Sequence, residues 1–290
     1  MNFFKILEKI KKKDASLIIY SLLDRVPILV FGENQEKVDN FLIELSELIH
    51  FRKELVFSTD FITKQEYDDF LNNEDIDFNC QRTHIRCPSN VSKNALEKFD
   101  DFKSWIIGVK EGKHKISTNK VKKYLSIYLS KNNINITPIG LEMKRYHHFL
   151  ENKILQKVSQ DTEKSITRME RVLLEKLRSK EIEKDFIKTL LDFEVEKNEL
   201  KKNIFKEEIQ NFYSGAKRAF FILNRLYILN DLNINAKIGS KTLLESIDYA
   251  EVPIERMLSF IEREWGINFS NLIENGKKII VGDKIQSFWG

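Results

Sequence analysis

The chain has 290 residues, of which 42% are hydrophobic and 32% charged, and its formal net charge is +4 at pH 7. This length is near the upper limit for one hydrophobic core, so we expect two or three domains, and four prolines and ten glycines leave little material for an all-β fold. Two cysteines exclude a disulfide scaffold, and because no pattern typical of a secretory signal is present, we expect a cytoplasmic protein.

Residues 1–25 are predicted to form an N-terminal amphipathic helix that covers the first domain. Its apolar stripe precedes three lysines at 11–13 and consists of Phe3, Phe4, Ile6, Leu7 and Ile10. Apolar stripes of this kind usually face a core, and lysines in a last turn complement the helix dipole. A short helix on an anionic membrane surface is the alternative. No segment is predicted to span a membrane.

Residues 26–110 alternate between strand-like and helix-like segments, which predicts a parallel α/β domain with right-handed crossovers. The strand-like runs are 28–31, 55–58, 83–86 and 105–109, and the helix-like stretches are 35–51, 63–72 and 92–99. Thr63 followed by Glu66 predicts a capping box at the start of the second helix.

The turn after the first strand has the outline of a nucleotide-binding loop without the residues that hold phosphate. A Walker-type loop needs a second glycine, a lysine and a serine or threonine. Here Glu33 and Asn34 follow Gly32, and a helical pattern begins at once. We therefore predict a degenerate nucleotide-binding fold without a phosphate loop and without a cofactor.

Four residues beyond the first two strands are the candidates for any small ligand, because ligands of parallel sheets bind at the carboxyl ends of strands. They are Gly32, Glu33, Asn34 and Asp60. Glu33 and Asp60 could share a cation, but helix capping and turn formation are the commoner roles of such residues. Cys80, His84 and Cys87 are too few for structural zinc, so no metal site is predicted.

Residues 111–210 are predicted to form a basic helical or coiled-coil-like segment. A helical pattern runs almost continuously from Ile116 to about Asn230, with a break at 132–138. Apolar residues spaced three and four apart form stripes within 143–177 and 182–204, which predicts two long antiparallel helices. A homodimer could form through such an arm.

Basic charge is concentrated in the middle of the chain. Residues 110–180 carry 17 basic and 7 acidic groups, whereas residues 26–109 carry 9 basic and 16 acidic groups. This asymmetry points to an anionic partner, such as DNA or RNA bound with low specificity. The candidate nucleic-acid contacts, including two near the C-terminus, are Lys110, Lys113, Lys115, Lys120, Lys122, Lys123, Lys144, Arg145, Lys277 and Lys278. The alternative is that the basic segment faces the acidic domain of its own chain.

The pattern of residues 211–290 predicts three helices and a hairpin, and this arrangement looks like a winged helix. The helices are expected at 212–229, near 243–247 and at 253–265, and Asn275 with Gly276 signals the hairpin turn. The helix at 253–265 would read DNA in such a module. Its charged residues are slightly acidic: Glu255, Arg256, Glu262, Arg263 and Glu264. Contact with protein is therefore expected at least as much as contact with DNA.

Together these features predict a fold of the α/β plus mainly α class, with a small parallel-sheet N-terminal domain, a long helical middle and a C-terminal winged-helix-like module. The expected function is that of a non-enzymatic regulatory or adaptor protein that contacts nucleic acid or a protein complex. The first alternative is an atypical nucleotide-binding protein or ATPase that uses the loop after the first strand. The second alternative is a structural helical dimer.

Overall fold

The computed structural model describes residues 3–71, 81–110, 121–130, 133–142, 148–177 and 184–274. The chain divides into two compact units, Met1–Asn211 and Phe212–Gly290. The first unit contains a six-stranded sheet and its helices, and the second contains helices and a two-stranded sheet. In the part of the chain that is described, no helix is both long enough and apolar enough to cross a membrane.

A mostly parallel sheet forms the centre of the first unit. Its strands are β1 (Ile28–Gly32), β2 (Lys53–Val56), β3 (Thr83–Cys87), β4 (Trp105–Lys110), β5 (Tyr124–Leu129) and β6 (Ile134–Ile139). Their order is β2-β3-β4-β1-β5-β6, and every pair is parallel except β5 with β6. The predicted parallel sheet near the N-terminus is therefore confirmed.

The prediction of nearly continuous helix from Ile116 was wrong, because β5 and β6 complete the sheet. Burial alternates along β5: Leu125, Ile127 and Leu129 are buried, whereas the residues between them are half-buried. This period of two places one set of side chains against the core, as a strand requires. The sheet thus continues past residue 110 into the segment that was predicted to be helical.

Helices cover the sheet and extend from it. They are α1 (Phe3–Lys9), α2 (Lys12–Leu23), α3 (Gln35–Glu47), α4 (Lys64–Leu71), α5 (Ser92–Glu97), α6 (Phe149–Leu177), α7 (Lys184–Leu190) and α8 (Glu194–Asp231). Helix α8 begins in the first unit and ends in the second. The predicted long helices of the middle segment are therefore α6 and α8, with the short α7 between them.

The capping box predicted at the start of α4 is confirmed. The backbone N–H of Thr63 donates to Glu66 Oε2 at 2.8 Å, and the N–H of Glu66 donates to Thr63 Oγ1 at 3.3 Å. The backbone N–H of Ile62 also donates to Glu66 Oε2 at 2.8 Å, and the hydrogen bonds from Ile62 and Thr63 lower the pKa of the Glu66 carboxyl. The carboxylate thus satisfies N–H groups that the first turn of a helix leaves without partners.

The single helix predicted at the N-terminus is two helices, α1 and α2, with a break between them. Phe3 and Phe4 are buried. The Phe3 ring lies 6.2 Å from that of Phe41 in α3, and the Phe4 ring lies 5.8 Å from that of Phe205 in α8. The aromatic start of the stripe therefore belongs to the core of this unit.

A buried hydrogen bond joins α3 to β3. Ser46 Oγ lies 2.5 Å from His84 Nε2, and His84 is only 1% exposed. Burial, followed by the charges of Arg52 and Arg25, lowers the pKa of His84 to about 3. The imidazole is therefore neutral in the folded protein at neutral pH.

Acid is expected to destabilise the first unit through His84. Its pKa is about 3 in the folded state and about 6.5 in an unfolded chain, so the unfolded state binds more protons between these values. Stability therefore falls as the pH falls from 6.5 toward 3, by roughly 2 to 3 kcal/mol at pH 4.5. Urea unfolding at pH 7 and pH 4.5 measures this loss. The substitution His84→Asn should remove most of the loss, and an unchanged pH dependence in that variant would contradict the assignment.

The second unit is built around an aromatic core. After α8 it contains β7 (Ile238–Gly239), α9 (Ser240–Ser246), α10 (Ile254–Trp265) and β8 (Ile273–Glu274), and β7 pairs in parallel with β8. Its largest buried rings are those of Phe212, Phe220, Phe260, Trp265 and Phe269. The predicted first hairpin strand is largely a 3-10 turn, Ser270–Leu272. The turn at Asn275 and Gly276 lies outside the described residues.

Candidate functional site

The carboxyl end of β1 is where a small ligand would be expected in this sheet. In the sheet, β2 lies on one side of β1, and β5 lies on the other side. The connection from β1 to β2 therefore runs in one direction, and the connection from β4 to β5, which crosses β1, runs in the other. Open α/β sheets bind ligands at such a reversal, beyond the carboxyl ends of the strands. Gly32, Glu33 and Asn34 occupy this position.

The turn between β1 and α3 is short and closed. Only Glu33 and Asn34 separate the two elements. Asn34 caps α3, because its Oδ1 accepts the N–H of Lys37 at 2.9 Å and its carbonyl accepts the N–H of Val38 at 3.1 Å. A Cβ atom on Gly32 would lie 2.9 Å from Val38 Cγ2. Val38 therefore packs directly against Gly32, and Asn34 caps the helix where a phosphate-binding loop would present open backbone N–H groups.

Asp60 lies in a turn far from the β1 end. Its Oδ2 accepts the N–H of Val56 at 2.6 Å, which closes the turn after β2. Three strand spacings separate β2 from β1 in the sheet, a distance of about 14 Å. Glu33 and Asp60 are therefore not brought together to share a cation.

Asp39 is a positioning residue at this edge that the sequence analysis did not single out. Its Oδ1 accepts the N–H of Ser89 at 2.8 Å, which ties α3 to the 3-10 turn after β3. Beneath it, a Cβ on Gly108 of β4 would lie 2.8 Å from Leu42 Cδ1. Helix α3 thus packs directly on the strand ends, and the only sequence signal for this was the glycine in a strand of large apolar residues.

Nucleotide is expected to leave the melting temperature of the protein unchanged. Because Val38 packs on Gly32, Asn34 caps α3 and the turn has no phosphate-binding residues, we expect neither ATP nor GTP with Mg²⁺ to bind there. A ligand present at 100 times its dissociation constant would stabilise the fold by about 2.7 kcal/mol. Differential scanning fluorimetry over a range of nucleotide concentrations makes this measurement, and a dose-dependent rise would contradict the expectation.

The described lysines of the predicted nucleic-acid surface lie at opposite ends of the sheet. Lys110 is level with Leu129 at the carboxyl end, whereas Lys122 and Lys123 precede β5 at the amino end. Six residues of strand separate the two levels, a distance of roughly 20 Å. The remaining candidates lie outside the described residues: Lys113, Lys115, Lys120, Lys144, Arg145, Lys277 and Lys278.

Helices α6 and α8 run antiparallel in the first unit. Lys157 Nζ lies 2.6 Å from Glu208 Oε1, and Lys197 Nζ lies 2.6 Å from Glu163 Oε1. The paired residue numbers rise along α6 as they fall along α8, which defines an antiparallel pair. The first part of α6, as far as Ile166, and the facing part of α8 are well buried. The buried residues are Leu150, Ile154, Val158 and Ile166 on α6 and Phe205 and Ile209 on α8.

We call residues 167–204 the helical arm, and its described residues have no such burial. Every arm residue whose burial is described is half-buried or exposed, although Ile166 and Phe205 on either side are buried. Five large apolar side chains in the described part of the arm are at least 40% exposed: Val172, Leu174, Phe186, Leu190 and Val195. The arm is therefore apolar without having a core of its own.

The cysteine and histidine of β3 are buried parts of the sheet. Burial, and then the charge of Asp39, raises the pKa of the Cys87 thiol, so the sulfur stays protonated at neutral pH. Cys80 lies outside the described residues. Among the residues that the structure describes, no group of three or more His, Cys, Asp or Glu side chains is placed to hold a metal ion.

Comparisons of the chain with protein-family models, with curated proteins and with solved structures give no match.

Proposed function

We propose that the protein is a non-enzymatic adaptor that works as a homodimer, with two copies joined through the helical arm. The observation that supports this most strongly is the lack of burial among the described residues of the arm, where five large apolar side chains are exposed. Helices gain most of their stability by packing an apolar face, and exposed apolar patches of this kind mark protein contacts. We therefore infer that the surface of another protein chain covers the apolar side chains of the arm.

The spacing of apolar residues in the arm is that of helix bundles. Apolar residues are four apart within α7, at Phe186 and Leu190, and within α8, at Leu200 and Ile204, and Phe193 lies in the break between the two helices. On α6, Met169 and Leu173 continue the buried stripe at the same kind of interval. Two helices alone leave such stripes half-open, whereas four helices enclose them.

A second copy of this chain fits the arm better than an unrelated partner. Residues 168–177 carry three basic and two acidic groups, whereas residues 192–199 carry one basic and four acidic groups. In a two-fold dimer the same patch of each copy contacts the other, so these opposite charges can face each other twice. Two antiparallel pairs then form a four-helix bundle.

The second unit is proposed to be a winged-helix-like module that contacts a protein complex. Helices α9 and α10 provide the helix pair of such a module. On α10, however, Arg256 is fully buried, and its guanidinium carbon lies 5.9 Å from the centre of the Phe212 ring. The exposed charges are Glu255, Glu262 and Arg263. Because this face is acidic, it favours a basic protein surface over phosphate, and nucleic acid is the alternative partner.

The mass of the protein in solution tests the proposed dimer. Size-exclusion chromatography with light scattering, over a range of concentrations up to about 100 μM, should give about twice the chain mass of 34.4 kDa. A mass equal to one chain at every concentration would contradict the homodimer. Binding of a different protein by that monomer would then assign the arm to an unrelated partner.

A further inference from the structure

A cavity lies in the first unit beside the elbow between α1 and α2; its lining includes no residue of the β1 turn, and Lys201 is the member of the lining that belongs to the helical arm. Its volume is about 510 Å³, within the range of about 300 to 1,000 Å³ that is typical of small-molecule sites. The lining comes from α1, α2, α6 and α8: Phe4, Leu7, Ile10, Lys12, Ala15, Leu155, Gln156, Val158, Ser159, Gln160 and Lys201.

The inner wall of this cavity is apolar. Phe4, Ala15 and Val158 are buried beneath it, whereas Leu7 and Leu155 are only half-buried because they face the cavity. Their neighbours Phe3 and Ile6 on the amphipathic stripe, and Leu150 and Ile154 on α6, are buried in the core. An apolar ligand placed here would remove their remaining surface from water.

The mouth of the cavity is polar and positively charged. Gln156, Ser159 and Gln160 on α6 are exposed, and Lys12 is exposed at the start of α2. The charged side chains that line the cavity are those of Lys12 and Lys201, and both are cationic. A ligand that fits both parts of the site has an apolar tail and an anionic head.

We propose that this cavity binds a single-chain anionic amphiphile, with its acyl chain along the wall formed by Leu7, Leu155 and Val158 and its head group near Lys12. A fatty-acid carboxylate and a lysophospholipid phosphate share this chemistry. A highly polar metabolite would not cover the apolar wall, and an uncharged apolar ligand would not interact with Lys12.

The test is displacement of the fluorescent probe 11-(dansylamino)undecanoic acid from the full-length protein, below the critical micelle concentration of each competitor. Competitors are octanoate, decanoate, dodecanoate, dodecan-1-ol and lauroyl lysophosphatidic acid. Each added methylene should tighten binding about three- to fourfold. Dodecanoate should bind up to about fivefold more tightly than dodecan-1-ol, because only the carboxylate interacts with the exposed Lys12. If dodecanoate binds more tightly than lauroyl lysophosphatidic acid, the ligand is a fatty acid, and the reverse order identifies a lysophospholipid.

Substitutions at the cavity and at a neighbouring control position test where the ligand binds. Lys12→Gln should abolish the preference for dodecanoate over dodecan-1-ol, whereas Lys13→Gln, at an exposed neighbour outside the lining, should bind as the wild type does. Leu155→Trp should fill the cavity and abolish probe binding. Ser159→Trp at the exposed mouth should do the same if the first variant fails to fold. Absence of saturable probe binding, equal binding of acid and alcohol, or unchanged binding in both tryptophan variants would overturn the proposal.

Discussion

Replacing Phe186 and Leu190 together by glutamate is expected to raise the dissociation constant of the homodimer by at least about a hundredfold. Each side chain removed from the interface forfeits about 1.5 to 3 kcal/mol of burial, and 1.4 kcal/mol corresponds to tenfold in affinity. The four added carboxylates per dimer also lie near the acidic residues 192–199 of each copy. Sedimentation equilibrium of wild type and variant measures the change.

The variant should stay folded, which separates loss of contact from loss of structure. Phe186 is 56% exposed and Leu190 is 40% exposed, so neither supports the core of the first unit. The matched control is Ile62→Glu, because Ile62 is 48% exposed but lies outside the arm. We expect the control to dimerise as the wild type does. A dimer of unchanged affinity in the Phe186 and Leu190 variant would rule out the arm as the interface.

The substitution Arg52→Leu is expected to reduce the free energy of unfolding by about 3 to 5 kcal/mol, because two charge-assisted hydrogen bonds are worth about 1.5 to 3 kcal/mol each. Arg52 is 2% exposed, and its two Nη atoms donate to the carbonyls of Leu22 and Leu23 at 2.7 and 2.6 Å. These carbonyls end α2 and have no partners further along the helix. The guanidinium therefore holds the end of α2 against the start of β2.

Urea unfolding measures this effect against a surface control. Arg225→Leu changes the same residue types at an exposed position, where substitutions usually alter stability by less than about 0.5 kcal/mol. Arg52→Lys should be intermediate, since an ammonium cannot donate to both carbonyls in the fork geometry of arginine. A loss below about 1 kcal/mol in Arg52→Leu would contradict the structural role.

The first four strands could be predicted because strand-like runs alternate with helix-like stretches along residues 26–110. The fifth and sixth could not, because β5 and β6 occur in a lysine-rich stretch between two segments with helical spacing. Their signal was the alternation of Leu125, Ile127 and Leu129 with more polar neighbours. A period of two over six residues is easily hidden by a longer helical pattern on both sides.

The arrangement of the candidate site could also be predicted only in part from the sequence. The lack of phosphate-binding residues after Gly32 is visible in the sequence, and so is the capping ability of Asn34. The separation of Glu33 from Asp60 depends on strand order, which adjacent segments of sequence do not specify. The same applies to the described lysines, which are neighbours in the sequence but are placed at both ends of the sheet by the parallel register.

The helical arm could be predicted only in part. The spacing of its apolar residues predicted long antiparallel helices, and the ion pairs between α6 and α8 are consistent with that arrangement. The sequence did not indicate where burial ends. Only the structure shows that the stripe is covered as far as Ile166 and open beyond it.

Hydrogen–deuterium exchange of the arm amides tests the proposed homodimer most directly. At concentrations where the wild type is dimeric, amides in the described part of α6 after Ile166 and at the start of α8 should be protected, because the second copy covers these helices. The variant with glutamate at positions 186 and 190 should exchange these amides much faster while the sheet amides stay protected. Equal exchange of the arm in both proteins at every concentration would show that no second copy covers it.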